Sequence, residues 1–151
     1  MNARIHAVIV PLCGWLVLFV ALFVPSVSWA TEWVEVLSDY ESGLFVDKAS
    51  IGVKGSVTEA VLLWNFADMQ MTRRPFKPYR SATRLTYFKC AERLRASVES
   101  KLYMDAMAQG DLTDVYRTPD DALRWEWVDL GAPGGKSMLF VCEQAAKAAT
   151  Q

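Results

Sequence analysis

The run CAERLRASVESKLYM, residues 90–104, decides how this chain folds. Its alanine, glutamate, arginine and leucine content favours a helix by propensity. Its order favours a strand. Leu94, Ala96, Val98, Leu102 and Met104 share one parity, while Arg93, Arg95, Ser97, Glu99, Lys101 and Tyr103 take the other. Leu94, Val98 and Leu102 also fit a helical stripe, so both periods are present in the residues. Alternation over this length is the stronger pattern, and we read a strand within 91–108.

The flanking sequence repeats that signal. Trp33–Leu37 is short and rich in β-formers, and Leu44–Val46 follows a Ser42-Gly43 turn. Gly52 and Gly55 flank the next turn, before the apolar run Val57–Phe66. Arg80–Lys89 is rich in threonine, tyrosine and phenylalanine, and Gln109-Gly110-Asp111 turns the chain into Leu112–Arg117. Leu123–Val128 alternates apolar and charged residues and reads as a half-buried strand. Strands joined by turns, without helices between them, point to an antiparallel sheet of about six strands.

The C-terminal segment breaks the pattern. Pro133-Gly134-Gly135 interrupts the chain, and Ser137–Ala149 contains good helix formers. Met138, Val141, Cys142 and Ala145 fall on one helical stripe. A helix starting near Lys136 would turn that stripe, Cys142 included, onto the sheet. The expected class is α+β, with this helix packed on one sheet face.

Residues 1–30 have the layout of a secretory signal peptide. Arg4 supplies the positive charge, Ala7–Val24 is apolar, and Pro25 ends any helix before Ser28-Trp29-Ala30. The alternative is an uncleaved anchor, because the apolar run is close to the roughly 18 residues that span a bilayer. Cleavage after Ala30 fits Pro25 and the small residues better, leaving one domain at 31–151 and membrane contact only through the leader. Cys13 follows Leu12 rather than a small residue and sits in mid-run, so it does not form a lipobox.

Export leaves Cys90 and Cys142 as the only cysteines, in a compartment where thiols oxidise. Their pairing is forced, and a disulfide would staple the helix to the strand ending at Cys90. A catalytic dithiol would take a Cys-x-x-Cys form, which is absent. The one histidine, His6, lies in the leader, so the mature chain lacks the usual general base and metal ligand. Two cysteines alone do not build a zinc site. A haem would need tyrosine or methionine as its axial ligand, and no spacing selects one. We therefore expect no metal, no cofactor and no enzyme activity.

Three local features have ordinary explanations. Gly131–Ser137 resembles a phosphate-binding loop but is one residue short between its first glycine and Gly135-Lys136, and reads as a helix start. Asp120-Asp121 follows Thr118-Pro119 and reads as a polar turn or cap. Trp64, Trp125 and Trp127 suit the core under a small sheet better than a ligand site.

Charge is the unusual feature. Without Arg4 the mature chain has 15 basic and 17 acidic residues, a net charge of −2, which argues against nucleic acid as partner. Yet Arg73, Arg74, Lys77, Arg80, Arg84, Lys89, Arg93 and Arg95 fall within 23 positions, with Glu92 the single acid among them. One reading is a site for acidic proteins or glycans. The other is a solvated loop and strand edge, where cations discourage edge-to-edge pairing.

An ordered set of residues carries a family resemblance. Phe45-Val46-Asp47 is followed by Ser50-Ile51, Gly55 and Trp64; Tyr79-Arg80-Ser81 leads to Cys90, and Tyr103, Gly110, Trp125, Pro133-Gly134 and Cys142 complete the set. From Trp33 to Cys142 the chain resembles the surface-adhesin protein E family of Gram-negative bacteria. The resemblance implies an antiparallel sheet whose concave face is covered by a disulfide-held C-terminal helix. It also implies a non-enzymatic binding module that engages host matrix glycoproteins or other acidic partners, with the basic segment where a binding region would lie. The name-giving members are surface lipoproteins, and without a lipobox the periplasm becomes the expected address, ahead of the cell surface or medium. The alternative function is a periplasmic accessory protein that binds another envelope protein or a small hydrophobic ligand.

The intact mass of the exported protein tests the leader and the cysteines together. We expect residues 31–151 without lipid, lighter by two hydrogens; a mass with two free thiols removes the staple.

Overall fold

The computed structural model describes residues 31–150, so the leader and its cleavage site lie outside the described residues. Seven strands, β1 (Trp33–Ser38), β2 (Ser42–Lys54), β3 (Val57–Met71), β4 (Pro78–Lys89), β5 (Leu94–Tyr103), β6 (Leu112–Arg117) and β7 (Glu126–Trp127), precede one helix, α1 (Pro133–Ala148). The sheet is an antiparallel meander in the order β1-β2-β3-β4-β5-β6. The short β7 pairs with the start of β5, through Leu94–Trp127 and Arg95–Glu126. β6 and β7 thus share one edge of β5, and β1 forms the opposite edge of the sheet.

One face is apolar because alternate residues of the long strands are apolar. Leu44 and Val46 of β2, Ala60 and Leu62 of β3 and Phe88 of β4 form a buried cluster. Met138 and Val141 of α1 complete it, together with Val128. Truncating one of these large side chains to alanine costs about 2–5 kcal/mol. α1 packs against β1, β2 and β3. On the opposite face, the loop 104–111 folds back: Ser81 Oγ donates to Asp105 O at 2.6 Å, and Met107 N donates to Asn65 Oδ1 at 2.7 Å.

The helix is fixed at both ends. Pro133 opens it, where a missing N–H is harmless. Gly135 follows in buried close contact, because a β-carbon there would collide with the backbone of Asp129 and Leu130. Further along, Cys142 is disulfide-bonded to Cys90, just beyond the end of β4, with Cα atoms 5.8 Å apart.

Three sequence expectations are corrected. Leu123–Val128 is not a half-buried strand: a 3-10 turn at Asp120–Ala122 precedes it, only Glu126–Trp127 pairs, and Trp127 is 64% exposed. Gly52 lies inside β2, so that strand runs on to the turn at Gly55, whose φ of 62° suits glycine. In β5 the strand is present but its alternation is broken. Leu85 faces Glu99 while Thr86 faces Ser97, leaving Val98 as an extra residue. Such a bulge sends the side chains before and after it to opposite faces.

The disulfide closes 52 residues of sequence, for which the chain-entropy model gives about 4 kcal/mol. The double variant Cys90→Ala/Cys142→Ala is expected to keep its sheet by circular dichroism. Its unfolding free energy in urea is expected to fall by about that amount.

Candidate functional site

The helix covers the β1–β3 half of its face and leaves an opening over β4 and β5. Around that opening lies a cavity of about 470 Å³, walled by Trp64, Phe66 and Tyr79 and floored by Leu62, Thr86 and Leu102. The start of α1, at Ala132–Gly134, closes one side. A second cavity of about 590 Å³ adjoins it, sharing Tyr79, Arg84 and Leu102 and adding Arg73, Arg74 and Tyr116. Together they make one groove, and no aspartate or glutamate lines it.

The fold therefore sorts the eight basic residues. Arg84 sits where the two cavities meet, and the β5 bulge turns Arg95 into the first of them. Arg73 and Arg74 reach the second from the β3–β4 loop. Buried Thr72 shapes that loop: its hydroxyl donates to Pro75 O and accepts from Lys77 N at 2.9 Å. The other four leave the groove. Lys77 pairs with Asp114 at 3.2 Å, and Arg80 Nη2 donates to Ala67 O at 3.1 Å. Lys89 lies 4.6 Å over the Trp125 ring and 3.9 Å from Glu92, while Arg93 is exposed in the β4–β5 turn. β4 and β5 are interior strands, so protection of a sheet edge does not account for Arg84 and Arg95, while Arg73, Arg74 and Arg93 are exposed in loops.

The groove arginines are poorly compensated. Arg84 has no carboxylate within salt-bridge distance among the described residues; its Nε donates to Ser100 Oγ at 3.2 Å. Burial, and then the charge of Arg95, pull its pKa below the ordinary arginine value. Arg95 has a loose contact to Glu126 at 3.8 Å. Its guanidinium rests against Gly134, where a β-carbon would collide with it. Asp114 is held below the usual carboxylate range, first by the hydrogen bond from Lys77.

Sequence reasoning missed Thr86, Ser97 and Gly134 as groove residues. Gly134 was visible in the glycine pair at the helix start; Thr86 and Ser97 had no signal without the register. Trp64 flanks both core and cavity, Trp125 lies under Lys89, and Trp127 is exposed rather than in the core. Asp120-Asp121 forms the turn expected of it. Gly131–Ser137 is a helix start, as its short spacing implied. Among the described residues no group of three or more histidine, cysteine, aspartate or glutamate side chains is placed to hold a metal ion.

Comparison with known proteins gives a concordant picture. The family model described as surface-adhesin protein E matches residues 33–143. The structure of Haemophilus influenzae protein E is similar over 76% of this chain and 86% of its own, with a TM-score of 0.57 and 13% identity. The protein E structure from non-typeable Haemophilus influenzae covers 82% of this chain and 84% of its own, again with a TM-score of 0.57 and 13% identity. At such identity the likeness concerns the fold. Among curated proteins, no sequence matches.

A half-buried arginine without a carboxylate costs stability, and an apolar side chain of similar length removes that cost. Arg84→Met is expected to leave the unfolding free energy unchanged or to raise it by about 1 kcal/mol. A fall of that size in urea titration would show that Arg84 serves the fold.

Proposed function

We propose a function for this chain from the premise that it belongs to the surface-adhesin protein E family. It works as an exported, non-enzymatic binding module that engages acidic protein or glycan partners. The observation that supports this reading is the groove in which Arg73, Arg74, Arg84 and Arg95 converge without an acidic neighbour in its lining. Guanidinium groups match carboxylates and sulfates through paired N–H donors, which suits such partners.

Arg84 and Arg95 lie on interior strands beside a helix pinned at two points, so a partner meets these two charges already in place. Like charges held together without counterions cost free energy, and an anionic partner relieves that cost on binding. The charge is local, because the mature chain is slightly acidic overall.

For location, we propose the periplasm, with the cell surface as the other address of an exported protein. Among the described residues no helix is long and apolar enough to cross a membrane. Protease shaving of intact cells separates the two addresses, since a periplasmic protein survives it.

Retention on immobilised heparin tests the groove. The protein is expected to elute well above physiological ionic strength, because released counterions and screening set such contacts. The triple variant Arg73→Gln/Arg74→Gln/Arg84→Gln is expected to elute at or below it. Elution of the unmodified protein near physiological salt would remove this reading.

A further inference from the structure

We infer that the cavity between β4, β5 and the start of α1 is a second kind of site, a receptor for a small organic monocarboxylate with an apolar, ring-sized body. Its volume of about 470 Å³ falls in the range of small-molecule pockets, which are mostly apolar with a few placed polar groups. Trp64, Phe66 and Tyr79 supply flat apolar walls, and Leu62 and Leu102 part of the floor.

The polar groups converge from three elements. Arg84 comes from β4, Arg95 from β5 beyond its bulge, and the first turn of α1 faces them with Pro133 and Gly134. The helix has no side-chain cap; Pro133 carries no N–H and Gly135 N donates to Ala132 O at 2.9 Å, which leaves Gly134 N as the first-turn amide facing the arginines. The independent sign of a ligand is Thr86. It is 1% exposed on the cavity floor, and its Oγ1 has no hydrogen-bond partner among the described residues. A hydroxyl buried without a partner costs about as much as a lost hydrogen bond, and such groups call for an explanation. The hydroxyl is itself covered, so a carboxylate seated between the two arginines would supply the missing acceptor after a small rotation of the Thr86 side chain toward the cavity.

Charge selects the class. Glu126 partly offsets Arg95 at 3.8 Å and acts on Arg84 only from a distance, and among the described residues no carboxylate lies within salt-bridge distance of Arg84. One positive charge plus the partial charge of a helix N-terminus suits a single negative charge better than two. The apolar walls argue against a bare inorganic ion. The site is the helix-side part of the groove and shares Arg84 and Arg95 with it, but does not rest on the polyanion reading, since Arg73 and Arg74 line only the adjoining cavity.

The probe is 2-naphthoate, with neutral 2-naphthamide as its isostere and inorganic phosphate as competitor, followed by titration calorimetry and by Trp64-sensitive fluorescence. Saturable binding of 2-naphthoate is expected with a Kd of about 1 mM or tighter. The amide is expected to bind at least about tenfold more weakly, and phosphate not to compete. Arg84→Met is expected to cost about tenfold or more in naphthoate affinity. Gly134→Ala, which displaces the Arg95 guanidinium without changing charge, is expected to weaken it several-fold.

Thr86→Val supplies a readout that a purely structural role does not give. It is expected to raise the unfolding midpoint, by removing the orphaned hydroxyl, while weakening naphthoate binding. Equal binding of acid and amide, displacement by phosphate, or affinity unchanged in both Arg84→Met and Thr86→Val would overturn the inference. So would an absence of saturable binding by the folded protein. Heparin retention by the unmodified protein reports on the groove separately: retention without naphthoate binding removes only the pocket, and the reverse removes only the groove.

Discussion

The docking of α1 on half of one sheet face is the constraint from which the rest follows. Two contacts fix it, and neither depends on side-chain charge. At its start, Gly135 lets the helix approach the backbone of Asp129 and Leu130 closer than any β-carbon permits. Further along, Cys142 is bonded to Cys90 at the end of β4. Between these points Met138 and Val141 sink into the cluster around Leu44, Val46 and Phe88. A helix so held cannot slide over β4 and β5, and the uncovered part of the face becomes a groove. The closed half contributes stability and the open half presents chemistry.

Much of this was readable from residue order. The strand content of 90–104, the terminal helix, its inward stripe and the disulfide all follow from periodicity and from there being two cysteines beyond residue 30. What was not readable was register. The alternation of Leu94 to Met104 places Leu94 and Leu102 on one face, but Val98 is an extra residue opposite β4. The letters of β5 keep one phase across Val98 although the faces exchange there, so the apolar pattern carries no mark of the bulge. Its effect is large here: it turns Arg95 and Ser97 to the face where the helix starts. Leu123–Val128 failed for a related reason. Its alternation was real, but β6 occupies the Glu99–Tyr103 half of the β5 edge and the 3-10 turn at Asp120–Ala122 interrupts the approach, and only Glu126 and Trp127 pair, with Arg95 and Leu94.

The basic segment shows the same limit from the other side. Eight cations close in sequence suggested one patch, yet a strand alternates faces and a loop reverses direction. Lys77 is drawn to Asp114, and Lys89 to Trp125 and Glu92. These are ordinary surface contacts, each contributing on the order of 1 kcal/mol or less. The four arginines left in the groove are distinguished by what they lack. Composition counts charges; only the fold decides which of them are compensated.

That lack of compensation bears on how the site should be understood. A chain under selection for stability alone would pair Arg84 or replace it, and would give the hydroxyl of Thr86 an acceptor. Instead Arg84 keeps a single bond, to Ser100, without an ion-pair partner among the described residues, and Thr86 keeps its hydroxyl unpartnered, two residues apart on the interior strand β4 where such faults cost most. Two such groups in one cavity, beside a helix start without a side-chain cap, share one chemical character: each would be stabilised by the same anionic ligand. The same faults occur where the scaffold is stiffest, so an incoming ligand would find its partners already positioned and would spend little of its binding free energy on ordering them. Binding strength in this fold would thus come from strain that the closed half of the sheet is stable enough to hold.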